Sequence, residues 1–180
     1  MNILIVGSGA REHVIARSIK KSKRPTKLFC FASNRNPGIE EICDILEVGN
    51  ITNPHTVSDF AAEHLIDLAI IGPEAPLANG VVDALLEINI QCVGPTKDLA
   101  QIETSKSFTR DLMRKHNIPG CPDYQTFIDL TNVSKYLNTL GENYVVKFDG
   151  LMGGKGVKVS GEHINSHDEA IEYCKQIIKN

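Results

Sequence analysis

Tryptophan is absent from the 180 residues, and aromatic side chains make up only 6% of them. Platforms that bind nucleic acid interleave such rings with clustered basic residues. The basic half of that pattern is thin as well. Net charge is −3, and the densest basic run, KKSKRPTK at 20–27, reads as a solvated helix end and loop. A nucleic-acid partner is therefore not expected. Long apolar runs are missing too. The chain opens MNILIVG, directly into a strand-like segment without a basic leader. Nothing approaches the roughly 20 apolar residues that span a bilayer. No membrane contact is expected, and a cytoplasmic location is. Paired cysteines are also lacking. Cys30, Cys43, Cys92, Cys121 and Cys174 form an odd set without a C-x-x-C pair. That spacing suits neither a disulfide framework nor a zinc site, and points to free thiols in a reducing compartment.

The composition that is present, 42% hydrophobic and 23% charged, is that of an ordinary globular chain. It suffices for one large domain or two small ones. Short apolar runs at 2–6, 27–31, 44–48, 67–72 and 91–94 read as strands. Helical spacing appears at 12–21, 57–65 and 77–88, and NPG at 36–38 is a turn signal. Strands that are nearly all apolar and alternate with helices predict a parallel sheet covered on both faces, a doubly wound α/β domain. A helix over 105–117 follows, broken by IPGCPDY. Beyond it the pattern gives a strand near 124–127, a helix near 131–140, strands at 144–148 and 156–160, and a helix at 167–179. SHDE at 166–169 is a capping box for that last helix, with Ser166 and Glu169 serving each other's N–H groups. The expected organisation is an α/β domain over 1–103, a connecting helix and linker over 104–122, and a small α+β subdomain over 123–180.

Two glycine-rich stretches carry candidate chemistry. GSGAREH (7–13) follows the first strand and opens the first helix, where free N–H groups and the helix dipole favour an anion. It fails as a dinucleotide fingerprint. Glu12 stands where the third glycine belongs, and the acid expected about twenty residues later is replaced by FASN. Two readings stay open: a tight turn without a ligand, or an anion site to which Arg11 adds charge, unless Arg11 pairs with Glu12 or faces solvent. Glu74, between Pro73 and Ala75 in GPEAPL, falls after a strand, at the edge where open α/β sheets bind ligands. It could bind a hydroxyl or amine, or simply decorate a turn.

The second stretch, KFDGLMGGKGVKVS (147–160), is not a Walker A loop. Gly150 to Gly154 is one residue short, Lys155 is followed by Gly156, and GVKVS alternates as a strand. It reads as a β-hairpin whose glycine loop can close over phosphate, with Lys147 on the stem and Lys155 in the tip. Lys106, at the start of an earlier helix, is a further phosphate candidate. The plainer alternative is a mobile hairpin with solvated lysines.

Taken together, GSGAREH, NPG, GPEAPLANGVVD (72–83), GPTKDLAQIETSKSFTRDLM (94–113) and VVKFDGLMGGKGVKV (145–159) resemble the glycinamide ribonucleotide synthetases, ATP-grasp enzymes of purine synthesis, in order and spacing over nearly the whole chain. Two departures are visible: Ala10 stands where the family usually has glycine, and Leu151–Gly153 where it usually has alanines. The resemblance implies a Rossmann-like domain before an ATP-grasp lid. It implies a ligase that joins glycine to 5-phosphoribosylamine at the expense of ATP, through an acyl phosphate, with magnesium. Gly9, Ala10 and Arg11 would lie on the phosphoribosylamine side and Glu74 toward its ribose hydroxyls. Lys106 and Lys147 would hold ATP phosphates, and Gly153, Gly154, Lys155 and Gly156 would form the lid. Family members run to more than twice this length. The catalytic groups and magnesium ligands are therefore expected beyond residue 180, with no metal site in this chain, little or no activity alone, and a second polypeptide as a conceivable partner. A non-catalytic nucleotide- or phosphosugar-binding module and another ATP-grasp purine enzyme are the alternatives; GPEAPL and KFDGLMGGKGV argue against the latter.

Overall fold

A computed structural model describes residues 1–178. The chain divides into two compact units, Met1–Thr104 and Ser105–Asn180.

The first unit runs β1 (Asn2–Val6), α1 (Ala10–Lys20), β2 (Lys27–Ala32), α2 (Pro37–Glu40), β3 (Ile45–Val48), α3 (Pro54–Glu63), β4 (Leu68–Ile71), α4 (Glu74–Ala78), α5 (Val81–Glu87), β5 (Gln91–Val93) and α6 (Lys97–Thr104). The five strands form one sheet in the order β3-β2-β1-β4-β5. Every pairing is parallel, with Val6 opposite both Phe31 and Ile71. The apolar runs explain this. Along β1, Leu4 and Val6 join Phe29, Phe31, Val57, Phe60, Val82 and Leu85 on one face. Ile3 and Ile5 join Leu28, Ala16 and Ile19 on the other. A strand buried on both faces needs helices on both, which parallel crossovers supply. Each fully buried Leu or Ile contributes about 1.5–3 kcal/mol as an upper estimate. The chain winds outward from β1 to β3 and then crosses back to β4. The carboxyl ends of β1 and β4 therefore flank the point where strand order reverses.

Two local expectations are corrected here. The helix expected over 77–88 is two helices, because Gly80 adopts φ +83 and caps α5. α4 begins earlier, at Glu74, and takes Pro76 into its first turn, where no backbone N–H is required. The NPG turn opens a short helix: Asn36 Oδ1 accepts from the N–H groups of Gly38 (3.1 Å) and Ile39 (3.4 Å), with Pro37 as first helical residue. α6 was not foreseen as a separate helix; Asp83 Oδ2 accepts the Lys97 N–H at its start (2.8 Å).

The second unit contains α7 (Lys106–Lys115), α8 (Val133–Leu140), β6 (Val145–Lys147), β7 (Val157–Val159) and α9 (His167–Ile178). β6 and β7 form an antiparallel hairpin, extended by the Phe148 N–H donating to Gly156 O (2.8 Å). Val133, Leu137, Tyr144, Ile164, Ala170 and Cys174 make its core. The strand expected near 124–127 does not form. Its lead residue docks on α7 through side chains instead. The Tyr124 hydroxyl donates to Asp111, and Arg114 stacks 4.3 Å over the Tyr124 ring. The capping box of α9 is shifted by one residue. Ser166 Oγ accepts the Glu169 N–H (3.2 Å), but Glu169 Oε2 accepts from Asn165 (2.8 Å). No helix among the described residues is long and apolar enough to cross a membrane.

Candidate functional site

In the first unit the glycine turn lies at the switch point of the sheet. Gly7 takes φ +125, which turns the chain out of β1, and Gly9 is the N-cap of α1. The turn is held from two sides. Asn36 Nδ2 donates to Ser8 O (2.9 Å), and the Ser8 and Ser33 hydroxyls are 3.0 Å apart. Gly38 lets the His13 ring pack directly on the α2 backbone: a Cβ there would lie 2.3 Å from His13 Cε1. NPG is thus a brace for the first glycine turn.

Arg11 and Glu74 meet across the switch point, Nη2 to Oε1 at 2.9 Å. Glu74 lies below the usual carboxyl range because its own backbone N–H donates to it and because Arg11 does. Glu74 in turn raises Arg11 by hydrogen bond and charge. Gly9, Ala10, Arg11 and Glu74 are therefore brought together.

The residue that sequence reasoning passed over is Glu12. It is only 3% exposed. Its Oε2 accepts the Gly9 N–H at 2.5 Å, while Oε1 is buried without a hydrogen-bond partner. Arg11 Nε lies 4.0 Å from Oε1. Glycines clear the space around it. A Cβ at Gly72 would stand 2.1 Å from Oε1, at Gly9 2.8 Å from Oε2, and at Gly7 2.9 Å from Cγ. The signal was present in the sequence. A glutamate three residues after an N-cap folds back onto the cap N–H, which is half a capping box.

In the second unit the root of the glycine loop is tied to α7. Asp149 Oδ1 accepts the N–H groups of Lys106 (2.5 Å) and Ser107 (3.2 Å), and Oδ2 accepts from the Ser107 hydroxyl and from Ser105 Oγ (3.3 Å). Lys106 Nζ donates to Gly150 O (2.6 Å). Burial would push the Asp149 carboxyl up, but the hydrogen bonds from Ser107, Lys106 and Ser105 leave it below its ordinary range. Lys147 lies below the usual lysine range. Packing around its stem is the main cause, and Arg110 and Lys106 add repulsion that Asp149 only partly offsets. Lys106, Arg110, Lys147 and Asp149 border a cavity of about 670 Å³ whose other wall is largely apolar, including Phe127, Tyr136 and Leu137. That volume suits a nucleotide-sized ligand. Arg110 and Asp149 were not anticipated. Lys155 and the tip glycines do not line this cavity. Gly153 (φ +54) and Gly154 (φ +79) form an open turn with nothing near their Cβ positions, while Gly156 packs at the hairpin base against Met152 and Phe148. Among the described residues no group of three His, Cys, Asp or Glu side chains could hold a metal ion.

Comparison with known proteins matches residues 1–103 to a family described as phosphoribosylglycinamide synthetase, N domain, and residues 104–180 to phosphoribosylglycinamide synthetase, ATP-grasp (A) domain. The chain belongs to the phosphoribosylglycinamide synthetase family. Curated relatives named phosphoribosylamine–glycine ligase include those of Methanobrevibacter smithii, 44% identical over 180 residues, and Methanosphaera stadtmanae, 45% identical over 177. They are matched over 100% and 98% of this chain and 40% of their own length. The chain thus spans about 40% of the length of these synthetase relatives.

Solved structures share the fold. The phosphoribosylamine–glycine ligase of Thermotoga maritima superposes with TM-score 0.71 at 22% identity, over 96% of this chain and 38% of its own. The N5-carboxyaminoimidazole synthetase of Staphylococcus aureus, complexed with ADP, gives 0.78 at 16%, over 99% and 45%. The α/β fold with a parallel five-stranded sheet is that of the ATP-grasp enzymes.

Proposed function

We propose that this chain supplies the phosphosugar-binding unit and the ATP-lid unit of a phosphoribosylamine–glycine ligase, which converts ATP, glycine and 5-phosphoribosylamine to glycinamide ribonucleotide, ADP and phosphate. The observation that carries the reading is the cationic group at the root of the glycine loop. Lys106, Arg110 and Lys147 stand round one wall of a nucleotide-sized cavity, with Asp149 as the acid acting on Lys147. Three cations against the two acids of the lining, Asp123 and Asp149, leave a net positive charge that calls for a polyanion. ATP would supply the phosphoryl group that activates a carboxylate. This chain's part is to hold its phosphates through Lys106, Arg110 and Lys147, while the open turn at Gly153–Gly154 folds over them with Lys155 and Gly156. In the first unit, the N–H groups that open α1 at Ala10 and Arg11 face the phosphate of the sugar, and Glu74 faces its hydroxyls. No magnesium ligand or catalytic group is assigned within the 180 residues.

The reading is tested by supplying the remaining length of the Methanobrevibacter smithii relative as a second polypeptide. ADP release should depend on both polypeptides, on glycine and on 5-phosphoribosylamine. Turnover by this chain alone overturns the assignment of catalysis to a partner. Nucleotide binding without turnover in the mixture marks a non-catalytic module. Failure to bind ATP, or equal binding by Lys147→Ala, removes the lid assignment.

A further inference from the structure

The dinucleotide fingerprint leaves the space beside its second glycine open so that a pyrophosphate can approach the backbone. Here that space is already filled from within. Glu12 turns back on its own helix and takes the Gly9 N–H with Oε2. The glycines at 7, 9 and 72 are the positions where any side chain would collide with it. An internal acid thus takes the Gly9 N–H and leaves only those of Ala10 and Arg11 to an external phosphate. Its second oxygen, Oε1, is buried and unpartnered at the carboxyl ends of β1 and β4. Leaving a buried acceptor unsatisfied is costly, so a ligand that brings a donor to it gains more than a ligand that brings another acceptor.

We propose that Glu12 Oε1 is a specificity-determining acceptor for the N–H or O–H group on C1 of the phosphosugar. The inference rests on the phosphosugar reading of the first unit and names the polarity of that site. Phosphate sits at the open N–H groups of Ala10 and Arg11, and the donor end of the sugar turns toward β4, where Glu12 and Glu74 both present oxygen. Arg11 spans the two acids, 2.9 Å from Glu74 Oε1 and 4.0 Å from Glu12 Oε1. Its side chain is 65% exposed, so it can swing aside as the ligand enters. A dinucleotide would instead press an acceptor against Glu12.

Glu12→Gln inverts this polarity at constant size. The Gly9 N–H claims the amide oxygen, and the amide NH₂ then stands where Oε1 was, able to donate weakly to a C1 hydroxyl but no longer to accept from it. The experiment is calorimetric titration of the 180-residue chain with ribose 5-phosphate, whose C1 hydroxyl stands in for the amine, and with its 1-deoxy analogue, which lacks that donor. The wild type should prefer ribose 5-phosphate by about tenfold, the scale of one hydrogen bond to a charged group. Glu12→Gln should keep a preference of no more than about threefold, the scale of a neutral hydrogen bond, and bind the analogue as the wild type does. Ribose 5-phosphate bound equally well by wild type and Glu12→Gln overturns the inference while leaving the phosphosugar reading intact. No binding of either compound by the wild type overturns both. Because the variant can fail to fold, a second measurement uses the wild type alone. The Glu12 carboxyl carbon resonance should shift on addition of ribose 5-phosphate and stay in place with the 1-deoxy analogue. An equal shift with both compounds also overturns the inference.

Discussion

Replacing Gly72 by alanine would place a methyl carbon 2.1 Å from Glu12 Oε1, 2.5 Å from Cδ and 2.6 Å from Cγ. Relief requires movement of more than about an ångström, since ordinary carbon contacts lie near 3.5–4.0 Å. Glu12 has little freedom to give it. The Gly9 N–H holds one oxygen at 2.5 Å, and the side chain is closed in near Gly7. The substitution therefore strains the turn, at about 1–3 kcal/mol for overpacking, and in displacing the carboxyl loses the Gly9 hydrogen bond, about 1 kcal/mol more. A total near 2–4 kcal/mol is expected. Glu12→Ala removes the obstacle, so Gly72→Ala should cost less than about 0.5 kcal/mol in that background, a coupling within the range found for residues in contact. Amide hydrogen exchange of β1 and β4 is the suitable probe, because two compact units make a single global transition unsafe to assume. An equal cost of Gly72→Ala in the presence and absence of Glu12 would refute the packing argument.

Other outcomes follow from the second unit and the surface. Asp149→Asn should destabilise α7 by about 0.5–1 kcal/mol, a cap value discounted for exposure. Because the folded-state carboxyl lies below its unfolded value near 3.9, this contribution is complete above about pH 4 and is lost as pH falls through the folded value. Urea midpoints of variant and wild type should therefore converge as pH falls below about 4, and a constant gap would count against the cap. Lys147, held below the usual lysine range, should be acylated faster than Lys23 or Lys135 at pH 8, read by peptide mass spectrometry; equal rates would show its environment to be ordinary. Gly80→Ala meets no side chain closer than 3.8 Å but must adopt φ +83. It should cost about 1 kcal/mol from backbone conformation alone, measured as a melting shift of the first unit, and an unchanged melting temperature would contradict that.

The sequence was most legible where burial is two-sided. LFCF within β2 and ILIV within β1 cannot face water on either side, so strand type, parallel pairing and helical cover follow together from the apolar runs. It was least legible where a few atoms decide. A helix over 77–88 reads as continuous by period, yet Gly80 breaks it through backbone freedom rather than polarity. The stretch 124–127 has strand-like residues, but Tyr124 is captured by Asp111 and Arg114 on α7 before any ladder forms. At the site, Arg11 and Glu74 were visible as candidates, while their pairing across 63 residues was not. Glu12 was misjudged for a different reason. A pattern match counted it as the loss of a glycine, whereas the fold uses it as the side chain that three glycines surround.

The tie between Asp149 and the start of α7 also orders events in time. The acceptor for the Lys106 N–H lies 43 residues further along the chain. At ordinary rates of synthesis that interval is on the order of several seconds. During it the nascent helix has the local Ser105 cap on Phe108 and, once Tyr124 is made, the docking of that side chain on Asp111 and Arg114. A ten-residue segment on its own is too short to remain helical in water. α7 therefore leaves the ribosome as fraying chain and becomes a settled helix only when the β6–β7 hairpin delivers its carboxylate, so the last-made half of the lid completes the first.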